Sequence, residues 1–364
     1  MPRTGSAQSQ LREMLDEACT QGVSPGAALV VGNGDEMLAE CYAGCLEAGG
    51  SPVGPNTVFD LASLTKPLVT TAIALTLVKL GELDLDEEVA AILPEFGEDG
   101  IEPTAAMTAA RRSVRVSQLL DHSSGLPAHD RFWERAGVNR ASVFAAATAT
   151  PLACPPGQRS IYSDIGFLVL GALIEHRTNT PLRYSGTGTD LFMGTGTIFP
   201  DSTALVAPTG YDTDGNLIRA VVNDDNARAM GGVAPHAGLF ATASAVHRLA
   251  GTWIRAWRGE GGPLDSVLVR KAWTTRACTQ EPSTWVSGWD TPNAEGSSAG
   301  SKIGSPAVGH LGFTGTSLWI DLERGVHVVL LTNRVHNNAG LDGIRALRPR
   351  IHDAIFSAFD DGRL

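Results

Sequence analysis

A serine and a lysine three residues apart, in Leu61-Ala-Ser63-Leu-Thr-Lys66-Pro67, open the longest apolar helical pattern in the sequence. A serine hydroxyl becomes a nucleophile when a neighbouring base takes its proton, and lysine can be that base whereas arginine cannot. The i, i+3 spacing puts both side chains on one face of a helical turn. Of the 28 basic residues only Lys66, Lys79, Lys271 and Lys302 are lysines, so a lysine at an apolar helix start asks for a reason. The free N–H groups and positive dipole end of that helix would favour an oxyanion beside Ser63. Together with burial they are expected to depress the pKa of Lys66. The chemistry implied is acyl transfer.

The elements that must position this pair follow from the surrounding pattern. Leu68, Val69, Ala72, Ile73, Leu75, Leu77 and Leu80 predict a mostly buried helix that starts near Ser63, with Pro67 in its first turn and Gly81 at its end. Upstream, Gly26–Gly32 and Glu36–Tyr42 read as two strands about the turn Gly32-Asn-Gly-Asp35. Downstream, Val116–His122 reads as a short helix stopped by Ser123-Ser-Gly-Leu-Pro127, and a second helix runs from Asp164 to His176. Residues 184–235 are glycine- and threonine-rich, with the near-repeats Gly186-Thr-Gly-Thr189 and Gly194-Thr-Gly-Thr197, and are expected to be long loops. At the end of the chain His310–Asp321 and Val326–Asn333 form a hairpin about Leu322-Glu-Arg-Gly325, followed by a helix over Leu341–Phe359. Strands at both ends with helices between imply one antiparallel sheet built from residues 1–66 and 276–364, facing a mainly helical lobe over 67–275, with the site between them.

Composition narrows the partners. A chain of 364 residues with 43% hydrophobic content can bury a large core, and a net charge of −11 disfavours nucleic acid and anionic membrane surfaces. Five cysteines (Cys19, Cys41, Cys45, Cys154, Cys278) form no Cys-x-x-Cys pair and no metal-ligand spacing with the histidines, so neither a metal nor another cofactor is expected. No apolar leader and no run of about 18 apolar residues is evident, which reads as a cytoplasmic protein. The expected partner is a small ester or amide.

Three motifs in order give the chain a resemblance to the serine β-lactamase and penicillin-binding protein superfamily, nearest to its class C and family VIII carboxylesterase branch. Ser63-Leu-Thr-Lys66 matches the nucleophile motif, Tyr162-Ser-Asp164 stands where the family has Tyr-x-Asn, and His310-Leu-Gly312 stands where it has Lys-Thr-Gly. Leu120-Asp-His-Ser-Ser-Gly-Leu-Pro127 and Gly231–Thr242 are similar as well. The resemblance implies a β-lactamase/transpeptidase-like fold, α/β plus all-α, with an antiparallel sheet flanked by helices and a helical insertion lobe. It implies attack by Ser63, proton transfer shared by Lys66 and Tyr162, and an oxyanion hole from the amides of Ser63 and Phe313, the latter on the strand. Tyr162 would serve as a base only with a pKa lowered by the Lys66 cation. His310, Asp164, Gly312 and Thr314 would contact substrate.

Departures from the family pattern steer the specificity. A neutral His310 attracts a carboxylate less than lysine does, and Leu311 lacks the threonine hydroxyl, which together favour neutral esters over β-lactams and D-Ala-D-Ala. Asp164 has two readings, an N-cap of its helix or a substrate contact. His236, after the unusual Pro235, reads as structural or cleft-lining, with no acidic partner assignable. Gly296-Ser-Ser-Ala-Gly300 satisfies Gly-x-Ser-x-Gly but lacks a flanking strand and helix, so it reads as a loop. Trp133 and Trp289 are candidates to line an acyl pocket. The resulting expectation is a serine hydrolase of small esters. Its rivals are a D-amino-acid or muropeptide peptidase or weak β-lactamase, and a catalytically silent binding protein.

Overall fold

A computed structural model describes residues 4–98, 104–182, 205–278, 280 and 282–364. The near-repeats at 186–189 and 194–197 lie outside these residues. The described strands are β1 (Gly26–Asn33), β2 (Glu36–Gly44), β3 (Phe59–Asp60), β4 (Gly210–Tyr211), β5 (Leu217–Ile218), β6 (Phe240–Ala241), β7 (Trp285–Val286), β8 (Trp289–Asp290), β9 (Ala307–Leu311), β10 (Ser317–Asp321) and β11 (Val326–Thr332). Seven form one antiparallel sheet in the order β2-β1-β11-β10-β9-β8-β7, so both termini build it. Two short pairs, β3 with β6 and β4 with β5, stand apart from it.

Side-chain alternation assembles the layers. On β1 and β11, Leu29, Val31, Val328 and Leu330 face one way, toward the helices Thr4–Thr20 and Leu341–Asp360. Val30, Val329 and Leu331 face the other way, into the larger core. Both faces are therefore covered, which is why these strands read as continuous apolar runs. The helix Ala243–Arg258 packs on β1 and β11 although it lies within the 67–275 stretch assigned from sequence to the helical lobe. An amphipathic pattern shows that a face must be buried but not which layer buries it.

One strand assignment changes. His310–Asp321 is two antiparallel strands, β9 and β10, separated by the turn Gly312–Thr316, where the Gly312 N–H donates to the Thr316 carbonyl at 2.7 Å and Gly315 takes φ +101°. Apolar residues on both arms hid the turn, and only glycine adopts that backbone easily. The nucleophile helix spans Ala62–Leu80: a 3₁₀ turn over Ala62–Leu64, a widened π segment over Lys66–Thr71 and α-helix from Ala72. Gly81 ends it in the left-handed conformation at φ +73°. By length and composition this helix could cross a bilayer, but 67% of it is buried inside the protein.

Gly309 on β9 pairs across the sheet with Trp319 on β10, and a methyl at Gly309 would enter the indole. Gly309→Ala is expected to lower stability by about 1–3 kcal/mol through overpacking, read as a shifted midpoint in urea unfolding.

Candidate active site

Two tight turns make the floor of the site. Ala62, immediately before Ser63, holds φ +48°, which is strained for a residue with a Cβ. Its N–H donates to Asp60 Oδ1 at 2.8 Å, and the N–H of Asn223 donates to Asp60 Oδ2 at 2.7 Å. Burial pushes the Asp60 carboxyl up to about 6, against those two donors. Two hydroxyls then bind this turn to the one after β9: Thr314 Oγ1 donates to the Asp60 carbonyl at 2.7 Å and Thr316 Oγ1 to the Leu61 carbonyl at 3.0 Å. Thr314 is thus fully buried and committed to the scaffold, which overturns the expectation that it contacts substrate. A Cβ on Gly312 would strike Thr316 Oγ1 and come within 2.6 Å of the Leu61 carbonyl, so glycine there lets the turns touch. Phe313 lies in the turn and not on the strand, is 64% exposed, and lines the same cleft as Ser63.

Lys66 is completely buried, with its Nζ at 3.1 Å from Ser63 Oγ, 3.1 Å from the His236 carbonyl and 2.6 Å from Asp164 Oδ1. This ion pair reverses the expected titration. Burial alone would pull the ammonium down, but the Asp164 carboxylate and Tyr162 outweigh it and Lys66 is held above its ordinary value. Tyr162 also goes up, because burial and the Asp164 charge outweigh the Lys66 cation. Its hydroxyl faces Ser63 and Lys66, and its ring centroid lies 4.9 Å from Lys66 Nζ. For Asp164, burial opposes ionisation, yet the Lys66 ammonium takes it well below the usual carboxylate range.

Asp164 does not cap its helix. Ser163 does, accepting the Gly166 N–H at 2.8 Å, which leaves the aspartate in the first helical turn free to face Lys66. His129 Nδ1 approaches the other carboxylate oxygen at 3.6 Å. The acidic partner that could not be assigned to His236 is Asp224, at 2.9 Å from its Nε2. Sequence reasoning had no signal for that pair, because the 224 and 236 loops meet only through the fold.

Above the floor opens a cleft of about 940 Å³ lined by Ser63, Tyr162, Asp164, His310 and Gly312. His310 is 1% exposed, and its Nδ1–H donates to the Leu311 carbonyl at 2.8 Å. Burial and the Lys66 charge bring its pKa down to about 3, so the ring is neutral. Leu311, Trp133, Trp285, Phe313 and Leu341 supply apolar walls, and Arg345 stands at the rim. Trp289 is wholly buried in a cluster with Trp253 and Trp273, leaving Trp285 as the indole that joins Trp133 in the cleft. The Gly296–Gly300 stretch is a loop, two residues of which, Gly296 and Ser298, reach the cleft. Ser63, Lys66, Tyr162, Asp164, His310, Gly312 and Phe313 are thus brought together, and Thr314 is not.

Comparison with known proteins agrees with this architecture. The family model described as Beta-lactamase matches residues 11–349. A putative D-alanyl-D-alanine carboxypeptidase of Escherichia coli K12 is 30% identical over 313 residues, covering 78% of this chain and 70% of the relative. An N-acetylmuramyl-L-alanine amidase of Bacillus subtilis is 29% identical over 361 residues, covering 89% and 80%. Among solved structures, EstCE1, a hydrolase with promiscuous acyltransferase activity, superposes with a TM-score of 0.72 at 19% identity, covering 97% of this chain and 99% of that one.

The ion pair makes a direct prediction. Asp164 is acidified on folding, so its contribution is complete above its unfolded pKa of about 4 and is lost as pH falls below it. Asp164→Asn strands a buried ammonium and is expected to cost about 3 kcal/mol at pH 7, with the gap to the parent closing below about pH 4 in urea unfolding.

Proposed function

This chain belongs to the beta-lactamase family, and we propose that it is a member that hydrolyses small neutral carboxylic esters through an acyl-enzyme on Ser63. The observation that carries the reading is the contact of Ser63 with Lys66 at 3.1 Å, at the base of a cleft with apolar walls and a neutral His310. In this mechanism Ser63 Oγ attacks the ester carbonyl while its proton passes through Tyr162 and Lys66 to the departing alkoxide. The amides of Ser63 and Phe313 receive the developing oxyanion. Water entering from the cleft then repeats the transfer in reverse and releases the acid. Asp164 keeps the Lys66 proton in place at rest, so the base form of the Lys66–Tyr162 pair is scarce at neutral pH.

A second reading is favoured by a separate observation. Two curated relatives carry names of peptide and amide hydrolases, and Arg345 offers a cation at the rim of the cleft. A substrate with an amide bond and a free carboxylate would use both.

Short-chain p-nitrophenyl esters, nitrocefin and N-acetylmuramyl-L-alanine, offered to the parent protein and to Ser63→Ala, separate these readings. Ester turnover that vanishes in Ser63→Ala supports the proposal, whereas dominant release of L-alanine or opening of nitrocefin replaces it with the second reading or a β-lactamase. Because Lys66 and Tyr162 are both held above their ordinary values, kcat/KM for esters is expected to climb about tenfold per pH unit from about pH 7 to 9. A profile flat over that range would remove the pair as the proton carrier.

A further inference from the structure

We infer that His122 is the positioning residue for Tyr162, holding the phenol over Ser63 and Lys66; this rests on the serine-hydrolase reading above. The Tyr162 hydroxyl must be placed by a segment with no regular secondary structure, since residues 159–163 form a loop between the turn at 156–158 and the helix at Asp164. One residue holds that segment from both sides. The His122 carbonyl accepts the Ile161 N–H at 2.8 Å, and His122 Nδ1 accepts the Ser163 N–H at 3.1 Å. Between these two bonds the Tyr162 ring lies with its centroid 4.7 Å from the imidazole and 5.2 Å from Trp285. Trp285 meets the imidazole edge-on at 4.6 Å, and Phe167 lies at 5.3 Å.

The geometry at His122 is unfavourable by itself. Its φ is +62°, in the left-handed region that few residues with a Cβ enter, though histidine and asparagine enter it more readily than most. Acceptance at Nδ1 puts the ring proton on Nε2, which is buried without a hydrogen-bond partner among the described residues. A left-handed backbone and an orphaned donor at one residue persist only where neighbours over-determine them. Those neighbours are present: Asp121 accepts from Ser123 Oγ at 2.6 Å and from the amides of Ala277 and Cys278 at 2.6 and 3.1 Å. The strained conformation aims both acceptors of His122 at the N–H groups of Ile161 and Ser163, the residues on either side of Tyr162. His122 does not line the cleft, so it acts only through Tyr162. Burial and the Lys66 charge keep it neutral, so it adds no titration of its own to the rate.

The test is a double-mutant cycle between His122 and Tyr162, read as the rate of Ser63 labelling by a fluorophosphonate, which stays measurable in slow variants, and as kcat and KM on a p-nitrophenyl ester. His122→Ala is expected to slow labelling and kcat roughly 10- to 100-fold with KM nearly unchanged. In a Tyr162→Phe background the same change is expected to cost less than about 2-fold, because the group it positions is already gone. His122→Asn retains left-handed tolerance and a side-chain acceptor, and is expected to recover part of the loss. It also carries the cycle should His122→Ala fail to fold. An equal loss in both backgrounds, or a parent-like kcat in His122→Ala with Tyr162→Phe slow, overturns the inference and leaves the hydrolase reading standing. A parent protein whose Ser63 takes no probe and turns over no ester overturns both.

Discussion

A single buried cation constrains this site. Lys66 has no exposure to solvent, and an ammonium taken out of water without a counter-charge is costly by several kcal/mol. Asp164 supplies that charge at 2.6 Å, the His236 carbonyl supplies an acceptor, and Ser63 supplies a third contact. Three segments far apart in sequence, the nucleophile helix, the start of the Asp164–Thr178 helix and the loop at 236, therefore have one arrangement in which Nζ is satisfied. The same contacts that make the lysine tolerable hold its proton. The charged Lys66 in turn biases its surroundings, since it keeps Asp164 ionised against burial and adds to the burial that keeps His310 neutral.

Around that cation the protein places strain where two loops must be aimed. Ala62 and His122 both adopt left-handed conformations without being glycine, one beside the serine and the other beneath the tyrosine. Each is fixed by a buried aspartate in the neighbouring sequence, Asp60 for the first and Asp121 for the second, whose oxygens collect backbone N–H groups. Threonine hydroxyls complete the frame by tying the Gly312–Thr316 turn to residues 60 and 61. Thr314, buried with its hydroxyl donated to the Asp60 carbonyl, is part of this frame and does not line the cleft.

The apolar character of the cleft comes from layers built for another purpose. Trp285 lies on β7 at the end of the sheet, Leu311 ends β9 and Leu341 begins the C-terminal helix, so three of the apolar walls come from elements that also build the core. The Trp253, Trp273 and Trp289 cluster lies behind them as core. Function and packing thus use the same residue types a few positions apart.

Much of this was written in local sequence. Spacing placed Ser63 and Lys66 on one helical face, Gly81 marked the helix end, and β-strand patterns at both termini required one sheet, because each signal depends on neighbours within a few residues. The order of Ser63-Leu-Thr-Lys66, Tyr162-Ser-Asp164 and His310-Leu-Gly312 located the family in the same way. What the tertiary structure decided were quantities that depend on which distant groups meet. Asp164 was legible as a cap or a contact, but its pairing with Lys66, and hence the upward shift of Lys66, follows from two helices docking in a medium of low dielectric, and the burial that lifts Tyr162 is likewise decided by the fold. Thr314, Trp289 and His236 were misplaced or unpartnered for the same reason. A side chain's type states what it can bond or bury, and only its three-dimensional neighbours determine whether that capacity is already used.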